Sequence, residues 1–434
     1  MKFYNREKEL EKLRHIEESS LNGSKMTVVV GRRRIGKTKL IKEAFEQKVY
    51  LFVSKKDEAL LCEEFITVLQ NTLNQKVLGH FTKFKDLFEY MMLLSKEKAL
   101  TLIIDEFQEF LQINPSIYSD MQNIWDTYKD TTKMNLILSG SIYSLMKKIF
   151  EDKKEPLFGR ADAKIHLQPF GVKTLKEILK DYFPTFSNED LLSFYMFTGG
   201  VAKYVELFVN AKAFTKEKQL DLIFSEDSLF LDEGKNLLIE EFGKEYTTYF
   251  SILSLIASSK TSRSAIESIL ERNIGGYLDR LENEYTVIKK IKPILAKEGS
   301  RTQKYEISDN FFNFWFRFIY KNKSAVEIGN YAYVRSIVER DFSLFSGKFL
   351  EKYFIETLKT SGEYSAIGTY WERSNQNELD IVAINEIDKK VLIAEVKLNA
   401  RKIDLEVVKQ KSLTLGEAFK SYAIEYKGYS LKDM

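Results

Sequence analysis

The stretch MTVVVGRRRIGKTKLIKEAF, from Met26 to Phe45, decides the fold of this 434-residue chain. Its Val28, Val29 and Val30 form an apolar run without alternation, which is typical of a strand buried on both faces. The pattern GxxxxGK followed by Thr comes next, and a helical run begins directly after it. Because a loop of this kind and the helix N-terminus gather N–H groups around an anion, the stretch predicts a phosphate-binding loop.

The loop residues divide into those that shape the backbone and those that contact a nucleotide. Gly31 and Gly36 allow the backbone to turn. Lys37 can reach the β- and γ-phosphates of ATP, and the hydroxyl of Thr38 can hold Mg²⁺. We expect the rest of the loop to lie against the nucleotide, namely Arg32, Arg33, Arg34, Ile35 and Lys39. ATP and Mg²⁺ are therefore the predicted ligands.

The composition bounds the class of protein. Hydrophobic residues make up 44% and charged residues 30%, which fits two or three globular domains. The single cysteine, Cys62, excludes an intramolecular disulfide and favours a reducing cytoplasm. No apolar run is long enough to span a membrane, and the charged start MKFYNREKELEKL is unlike a secretory signal. A net charge of +3 does not by itself indicate a nucleic-acid partner.

A second motif, ALTLIIDEFQEF, places two acids after an apolar strand, Leu100 to Ile104. Ligands of open α/β sheets bind outside the carboxyl ends of the strands, so Asp105 and Glu106 should lie beside the phosphate loop. Asp105 suits the Walker B role on Mg²⁺, and Glu106 suits a base that orients the attacking water.

Two later positions are weaker candidates for the same site. The predicted strand Met134 to Leu138 ends in Ser139, Gly140 and Ser141. The hydroxyls of the two serines are candidate sensors of the γ-phosphate. Ser141 is also a candidate helix N-cap. Arg160 precedes a fifth predicted strand, Lys164 to Leu167. It is either a catalytic arginine, acting in cis or from a neighbouring subunit, or an exposed loop residue.

Other segments predict the surrounding elements. An amphipathic helix over Asn5 to Glu17 has Asn5 as its N-cap, and a second buried strand covers Val49 to Val53. Helices are predicted over Glu58 to Leu73 and Phe84 to Ser95, and a helical lid over Thr174 to Phe214. The lid is broken at Thr198, Gly199 and Gly200, where the glycines mark either a helix boundary or closeness to the nucleotide.

The segment from Glu245 to Ser308 predicts a winged helix. Three helical patterns precede two short strands, Thr286 to Lys290 and Lys304 to Ile307, which flank a basic loop with Lys292, Lys297 and Arg301. Such a module either binds DNA or connects domains. The aromatic run FFNFWFRFIY that follows is interpreted as core rather than as a platform for bases.

The last hundred residues carry a second set of charged residues. Asn375 to Asn377 predict a turn into ELDIVAI, and VLIAEVKL follows as a strand with Glu395 and Lys397 on one face. If these strands pair, Asp380 and Glu395 can hold Mg²⁺ and Lys397 can orient or help deprotonate a water that attacks a phosphodiester. The alternative is an edge strand with solvated charges. Including the helix with Glu351, the predicted order is α-β-β-β-α-β.

Together these residues resemble archaeal-type P-loop ATPases of the AAA/STAND group that end in a restriction-endonuclease-like domain. The resemblance rests on NREKEL, GRRRIGKT, LIIDEFQEF, LSGS, PLFGR with IHLQPF, TGGVAKYV, YEISDNFFNFWFRF, ELDIVA and AEVK. It implies that Asp380, Glu395 and Lys397 match the PD-(D/E)xK nuclease triad, with Glu351 as an auxiliary acid and metal ligand. It also implies that Arg160 matches the family's arginine of the GR motif.

The resulting expectation is an α/β protein with a parallel-sheet P-loop core. The predicted domains are an ATPase core at residues 1–170, a lid at 171–240, a winged helix at 241–310, a helical connector at 311–340 and a nuclease-like domain at 341–434. The expected function is a cytoplasmic, Mg²⁺-dependent ATPase whose nucleotide state governs a nuclease-like domain on DNA. The alternatives are a switch that binds a protein or DNA partner without cutting, and a homo-oligomeric motor on nucleic acid.

Overall fold

The computed structural model describes residues 1–77, 79–297, 299–300, 302–372 and 377–434. The predicted contribution of Arg301 to the basic loop and the predicted turn at Asn375 lie outside these residues. The chain divides into two compact units, residues 2–168 and residues 169–434 together with Met1. Among the described residues, no helix is both long and apolar enough to cross a membrane.

The N-terminal unit is built on a five-stranded parallel sheet in the order β2-β3-β4-β1-β5. This confirms the predicted α/β class and parallel core. The strands are β1 (Lys25–Val30), β2 (Val49–Phe52), β3 (Leu100–Asp105), β4 (Met134–Gly140) and β5 (Ala163–His166). The central strands β3 and β4 are buried along their whole length, as their mostly apolar sequences predict. Strand β2 lies at the sheet edge. Val49, Leu51 and Val53 are buried as predicted, but the prediction is wrong for Phe52, which is half exposed.

Helices cover both faces of this sheet. Val28 and Val30 of β1 belong to one apolar cluster and Val29 to another, because successive side chains of a strand point to opposite faces. The helices are α1 (Glu7–Ser19), α2 (Lys37–Ala44), α3 (Glu58–Leu73), α4 (Phe84–Leu94), α5 (Phe110–Ile113), α6 (Ile117–Tyr128) and α7 (Tyr143–Glu151). The N-cap of helix α1 lies one residue later than predicted: Asn5 has a φ of 46°, and Arg6 occupies the cap position without a side-chain cap bond.

The second unit begins with the helices of the predicted lid. They are α8 (Val172–Tyr182), α9 (Asn188–Thr198), α10 (Ala202–Asn210), α11 (Lys216–Ile223) and α12 (Leu229–Phe242). Gly199 ends α9 in a left-handed conformation, and a Cβ on Gly200 would lie 2.1 Å from the carbonyl oxygen of Phe170. A helix boundary with a close backbone approach therefore accounts for the glycine pair.

Three helices and a hairpin follow, as the winged-helix pattern predicts. They are α13 (Tyr246–Ala257), α14 (Arg263–Leu270), α15 (Gly275–Asp279), β6 (Ile288–Ile291) and the antiparallel β7 (Lys304–Ile307). The aromatic run continues through α16 (Asn310–Phe314) into a π-helical turn, Trp315–Ile319. Its phenylalanines are buried, which confirms the core interpretation.

The C-terminal part contains a four-stranded sheet in the order β11-β10-β9-β8. Its elements are α17 (Lys323–Glu327), α18 (Tyr331–Ser361), β8 (Ala366–Tyr370), β9 (Leu379–Asn385), β10 (Lys390–Lys397), α19 (Leu405–Ser412) and β11 (Ala423–Ser430). Strands β8, β9 and β10 are antiparallel, and β11 runs parallel to β10. The predicted domain boundary between residues 340 and 341 falls inside α18.

Candidate functional site

The phosphate loop leaves the carboxyl end of β1 and returns at once into α2. A Cβ on Gly31 would lie 2.9 Å from the carbonyl oxygen of Leu167, so this position requires glycine for a close backbone approach. Gly36 has a φ of 95° and occupies the cap position of α2. Because glycine has no capping side chain, the first-turn N–H groups of α2 are left to a ligand, which is the usual arrangement at an anion site.

Lys37, the first residue of α2, lies beneath the loop. Its side chain is 7% exposed, and its Nζ donates to the carbonyl oxygens of Gly31 at 2.6 Å and Arg32 at 3.0 Å. An ammonium group held inside the concavity of the loop supplies a positive charge where the β- and γ-phosphates of a nucleotide would lie.

Thr38 and Asp105 provide adjacent oxygen ligands at the base of the loop. Thr38 Oγ1 donates to Asp105 Oδ2 at 2.9 Å. Tyr50 Oη donates to the same oxygen at 2.6 Å, while the backbone N–H of Glu106 donates to Oδ1 at 3.0 Å. A hydroxyl beside a fixed carboxylate is the donor set that Mg²⁺ prefers, so Thr38 and Asp105 fit the predicted ion. Burial, followed by the bond to Asp105, raises the pKa of Tyr50, which keeps its hydroxyl protonated as a donor.

The two serines after β4 contact different acids. Ser139 Oγ donates to Asp105 Oδ1, and Ser141 Oγ donates to Glu106 Oε2 at 2.6 Å. Arg33 Nε in turn donates to Ser141 Oγ at 3.1 Å. The expected cap role of Ser141 is wrong, because Ile142 occupies the cap position of α7 and its side chain makes no cap bond.

Ile35 and Lys39 differ from the expectation that the whole loop contacts nucleotide. Ile35 is 2% exposed and packs in the apolar cluster of α1, α2 and the sheet, so it anchors the loop. Lys39 points to solvent from α2. Arg32 and Arg34 are half-buried in the loop, and Arg34 has a φ of 67°.

Arg160 lies near the amino-terminal ends of the sheet strands, whereas the phosphate loop lies at their carboxyl ends. It precedes β5, whose first residue Ala163 pairs with Thr27 near the start of β1, whereas the loop follows the end of β1. The four residue steps from Thr27 to Gly31 span about 13 Å at the strand rise of about 3.3 Å per residue. Arg160 instead forms an ion pair with Asp126 at 3.0 Å. This position does not support the expected catalytic role of Arg160 in cis. A catalytic role would require Arg160 to reach the nucleotide site of a neighbouring subunit.

Sequence reasoning missed Tyr50 and Gln108. Tyr50 lies on β2, which pairs with β3, and its contact with Asp105 depends on strand order that a sequence pattern does not reveal. Gln108 follows the two acids in LIIDEFQEF, and its Nε2 donates to Glu106 Oε2 at 2.6 Å. In the turn Phe107–Glu109, Gln108 stands among acidic and aromatic residues, so no local pattern singles it out.

The C-terminal sheet brings the predicted triad together. Pairing of Ile381 with Ala394 sets Asp380 beside Glu395. Lys397 Nζ lies 3.2 Å from Asp380 Oδ2 and 3.2 Å from Glu395 Oε1. The backbone N–H of Val396 also donates to Asp380 Oδ2 at 2.8 Å. Burial by itself would lower the pKa of Lys397, but the two carboxylates outweigh it and raise that pKa.

Glu351 on α18 interacts electrostatically with Asp380 and Lys397 of this triad. Burial, and then the charge of Asp380, raise the pKa of Glu351 to about 8, while Lys397 opposes the shift. Among the described residues, however, no three acidic, histidine or cysteine side chains are grouped to hold a metal ion. The expectation that Glu351, Asp380 and Glu395 together ligate a metal is therefore not met. Asp380 and Glu395 are the two acids that both contact Lys397.

Two protein families match this chain. One, described as an ATPase domain predominantly from Archaea, covers residues 3–208. The other, described as archaeal and bacterial proteins of unknown function, covers residues 315–411. The uncharacterized protein MJECL04 of Methanocaldococcus jannaschii is 30% identical over 449 residues, which cover 99% of this chain and 97% of the relative.

The fold is shared with a solved structure, and a further structure matches with a lower TM-score. The Walker-type ATPase of Pyrococcus abyssi matches with a TM-score of 0.54 at 17% identity, covering 72% of this chain and 96% of that chain. The ORC2 protein of Aeropyrum pernix, solved as ADPNP and ADP complexes, matches with a TM-score of 0.49 at 15% identity, covering 75% of this chain and 96% of that one.

Proposed function

Because this chain belongs to the archaeal-type ATPase family, we propose that it is a Mg²⁺-dependent ATPase whose nucleotide state governs a nuclease-like C-terminal domain. The observation that carries the ATPase part is the 2.9 Å contact between Thr38 Oγ1 and Asp105 Oδ2 beneath the loop. It joins the start of α2 to the end of β3 at the place where a bound nucleotide and its ion would be held.

The chain's own residues have distinct tasks in this proposal. The loop N–H groups and Lys37 bind the phosphates and stabilise the negative charge that develops on the transferred group. Glu106 orients the attacking water and accepts its proton. Tyr50 and Ser139 hold Asp105 in place through hydrogen bonds. When bound, Mg²⁺ would supply charge neutralisation of the β- and γ-oxygens.

The test is ATP hydrolysis by the full chain and by Lys37→Ala. We expect Lys37→Ala to lose about 100-fold or more in kcat/KM, because the ammonium group acts on the transferring phosphate. Lys85→Ala is the matched control, since Lys85 is exposed on α4 and does not belong to the loop. Wild-type hydrolysis by Lys37→Ala would overturn the assignment.

The C-terminal part of the proposal is hydrolysis of DNA phosphodiesters. It is supported by the convergence of Lys397 on Asp380 and Glu395, since an edge strand with solvated charges would not bring three charged groups to one point. The two carboxylates would hold Mg²⁺, and Lys397 would orient a water toward the phosphorus.

The nuclease proposal is tested by Mg²⁺-dependent cleavage of supercoiled and linear DNA, with and without ATP. Glu395→Ala should abolish cleavage and keep ATP hydrolysis. Glu425→Ala, an exposed change on the neighbouring strand β11, should retain both activities. Intact ATPase activity without cleavage under any condition would instead favour a switch that binds a protein or DNA partner without cutting.

A further inference from the structure

The carboxylate of Glu106 is held on one side only. Its Oε2 accepts from Gln108 Nε2 at 2.6 Å and from Ser141 Oγ at 2.6 Å. No hydrogen bond among the described residues reaches its Oε1. The backbone of Glu106 is left-handed, with φ 55° and ψ 39°, which is uncommon for a residue other than glycine and is typical of functional turns.

Gln108 is itself fixed by its surroundings. Its side chain is 1% exposed, and a Cβ on Gly140 would lie 2.3 Å from Gln108 Oε1, so the glycine makes room for the amide. Nε2 lies toward Glu106 and, at 3.4 Å, toward Glu109 Oε1. The reverse orientation would set the amide oxygen against two carboxylates, so chemistry determines which atom faces Glu106. Oε1 is buried and makes no hydrogen bond within the described residues.

Ser141, which directly follows the neighbouring parallel strand β4, completes the arrangement. Arg33 can only donate, so the Ser141 hydroxyl accepts from Arg33 Nε and its proton is directed to Glu106. Two consecutive hydrogen bonds thus connect Arg33 of the phosphate loop through Ser141 to Glu106. Both donors to Glu106 meet the same oxygen, and charge-assisted bonds of this length are strong.

We propose that Gln108, together with Ser141, is a positioning residue of ATP hydrolysis that occupies Oε2 of Glu106 and leaves Oε1 as the acceptor for the attacking water. The inference rests on the proposed ATPase function. Gln108 touches neither nucleotide nor water in this arrangement; it acts through the orientation of Glu106. Nucleotide binding, which depends on the loop, should therefore not require Gln108.

The test is Gln108→Met, which keeps the shape of the buried side chain and removes the N–H donor. We expect kcat to fall about 10- to 100-fold, the range for loss of a hydrogen bond to a charged group, with KM for ATP and the Kd for ADP changed less than about threefold. Gln112→Met, an exposed change on α5, is the control and should hydrolyse ATP as the wild type does.

A double-variant comparison separates positioning from a structural effect. In single-turnover measurements, Gln108→Met should cause no further loss in a Glu106→Gln background, because the carboxylate that it orients is already gone. A further loss of about tenfold or more there would overturn the proposal, as would a wild-type kcat for Gln108→Met in an otherwise active protein. A wild-type chain that hydrolyses no ATP would overturn the proposed function itself, and the positioning role with it.

Discussion

At the scale of single residues, charge burial decides several outcomes. Lys348 on α18 donates to Asn313 Oδ1 at 2.8 Å and lies over the rings of Phe345 and Phe349, with centroids at 5.0 and 5.3 Å. Burial, followed by repulsion from Lys352, lowers the pKa of Lys348 to about 7. Its ammonium form is thus disfavoured in the folded state.

The sign of the resulting pH dependence follows from proton counting. Between about pH 7 and the ordinary lysine pKa near 10.4, the unfolded chain binds more protons at this site than the folded chain. The contribution of Lys348 to stability therefore becomes less unfavourable as the pH rises through this range. We expect Lys348→Met to raise the free energy of unfolding by about 2 kcal/mol at pH 7 and to flatten the rise toward pH 10.

Urea unfolding at pH 7 and pH 9 measures both effects. Lys359→Met on the same helix serves as the control, because Lys359 is exposed. A destabilised Lys348→Met protein with unchanged pH dependence would show that Lys348 is charged and well compensated in the folded state.

At the scale of elements, an ion-pair triad joins the hairpin β6–β7 to α18. Glu306 on β7 pairs with Lys289 on β6 at 3.0 Å and with Lys352 on α18 at 3.0 Å. Burial alone would raise the pKa of Glu306, but Lys352 and Lys289 outweigh it and lower the pKa to about 2. A backbone bond from Ile294 N to Thr369 O, 2.8 Å, adds a second link between the hairpin loop and β8.

The triad predicts an acid-dependent contribution to stability. Glu306→Gln should lower the free energy of unfolding by about 3 kcal/mol at pH 7, because it leaves the buried Lys352 without its counter-charge. Since the folded pKa of Glu306 is depressed, the deficit relative to wild type should be full above the unfolded pKa near 4.3 and should shrink as the pH falls toward 2. Glu327→Gln removes an exposed pair with Lys323 and should leave the free energy of unfolding nearly unchanged. Equal losses in the two variants, measured by urea unfolding, would contradict the prediction.

The elements that sequence predicted best are those with local signals. Helix α3 has the predicted bounds, and β3 ends at the predicted acids, because buried apolar runs and capping residues act over short distances. The position of Arg160 was not accessible in this way. Whether Arg160 lies at the amino or the carboxyl ends of the sheet strands depends on the direction and neighbours of β5. These are fixed by contacts with residues more than a hundred positions away.

The same distinction holds for the site. The loop, Asp105 and Glu106 were found because spacing and an apolar strand identify them. Tyr50 and Gln108 were not, since their contacts arise from strand pairing and from the turn after β3. Ile35 was assigned to the nucleotide because its position in the motif says nothing about which side of the loop its side chain takes.

At the scale of the whole molecule, one relative matches nearly the full chain, the archaeal ATPase domain family matches residues 3–208, and the structure adds a C-terminal sheet. Within the second unit, α18 contacts several parts at once. Glu356 accepts from Val172 N at the start of α8 and from Tyr195 Oη of α9. Earlier on the same helix, Lys352 pairs with the hairpin and Glu351 faces the C-terminal triad.

Helix α18 determines where an expression fragment for the C-terminal sheet can begin. Helix α18 has 31 residues and is about 46 Å long. A fragment that begins at residue 341 would keep Asp380, Glu395 and Lys397 but would lose the turns that bury Val334 and Val338. An expression fragment for the C-terminal sheet should therefore start before Tyr331, and it would still leave Glu356 and Lys352 without their partners on the lid and the hairpin.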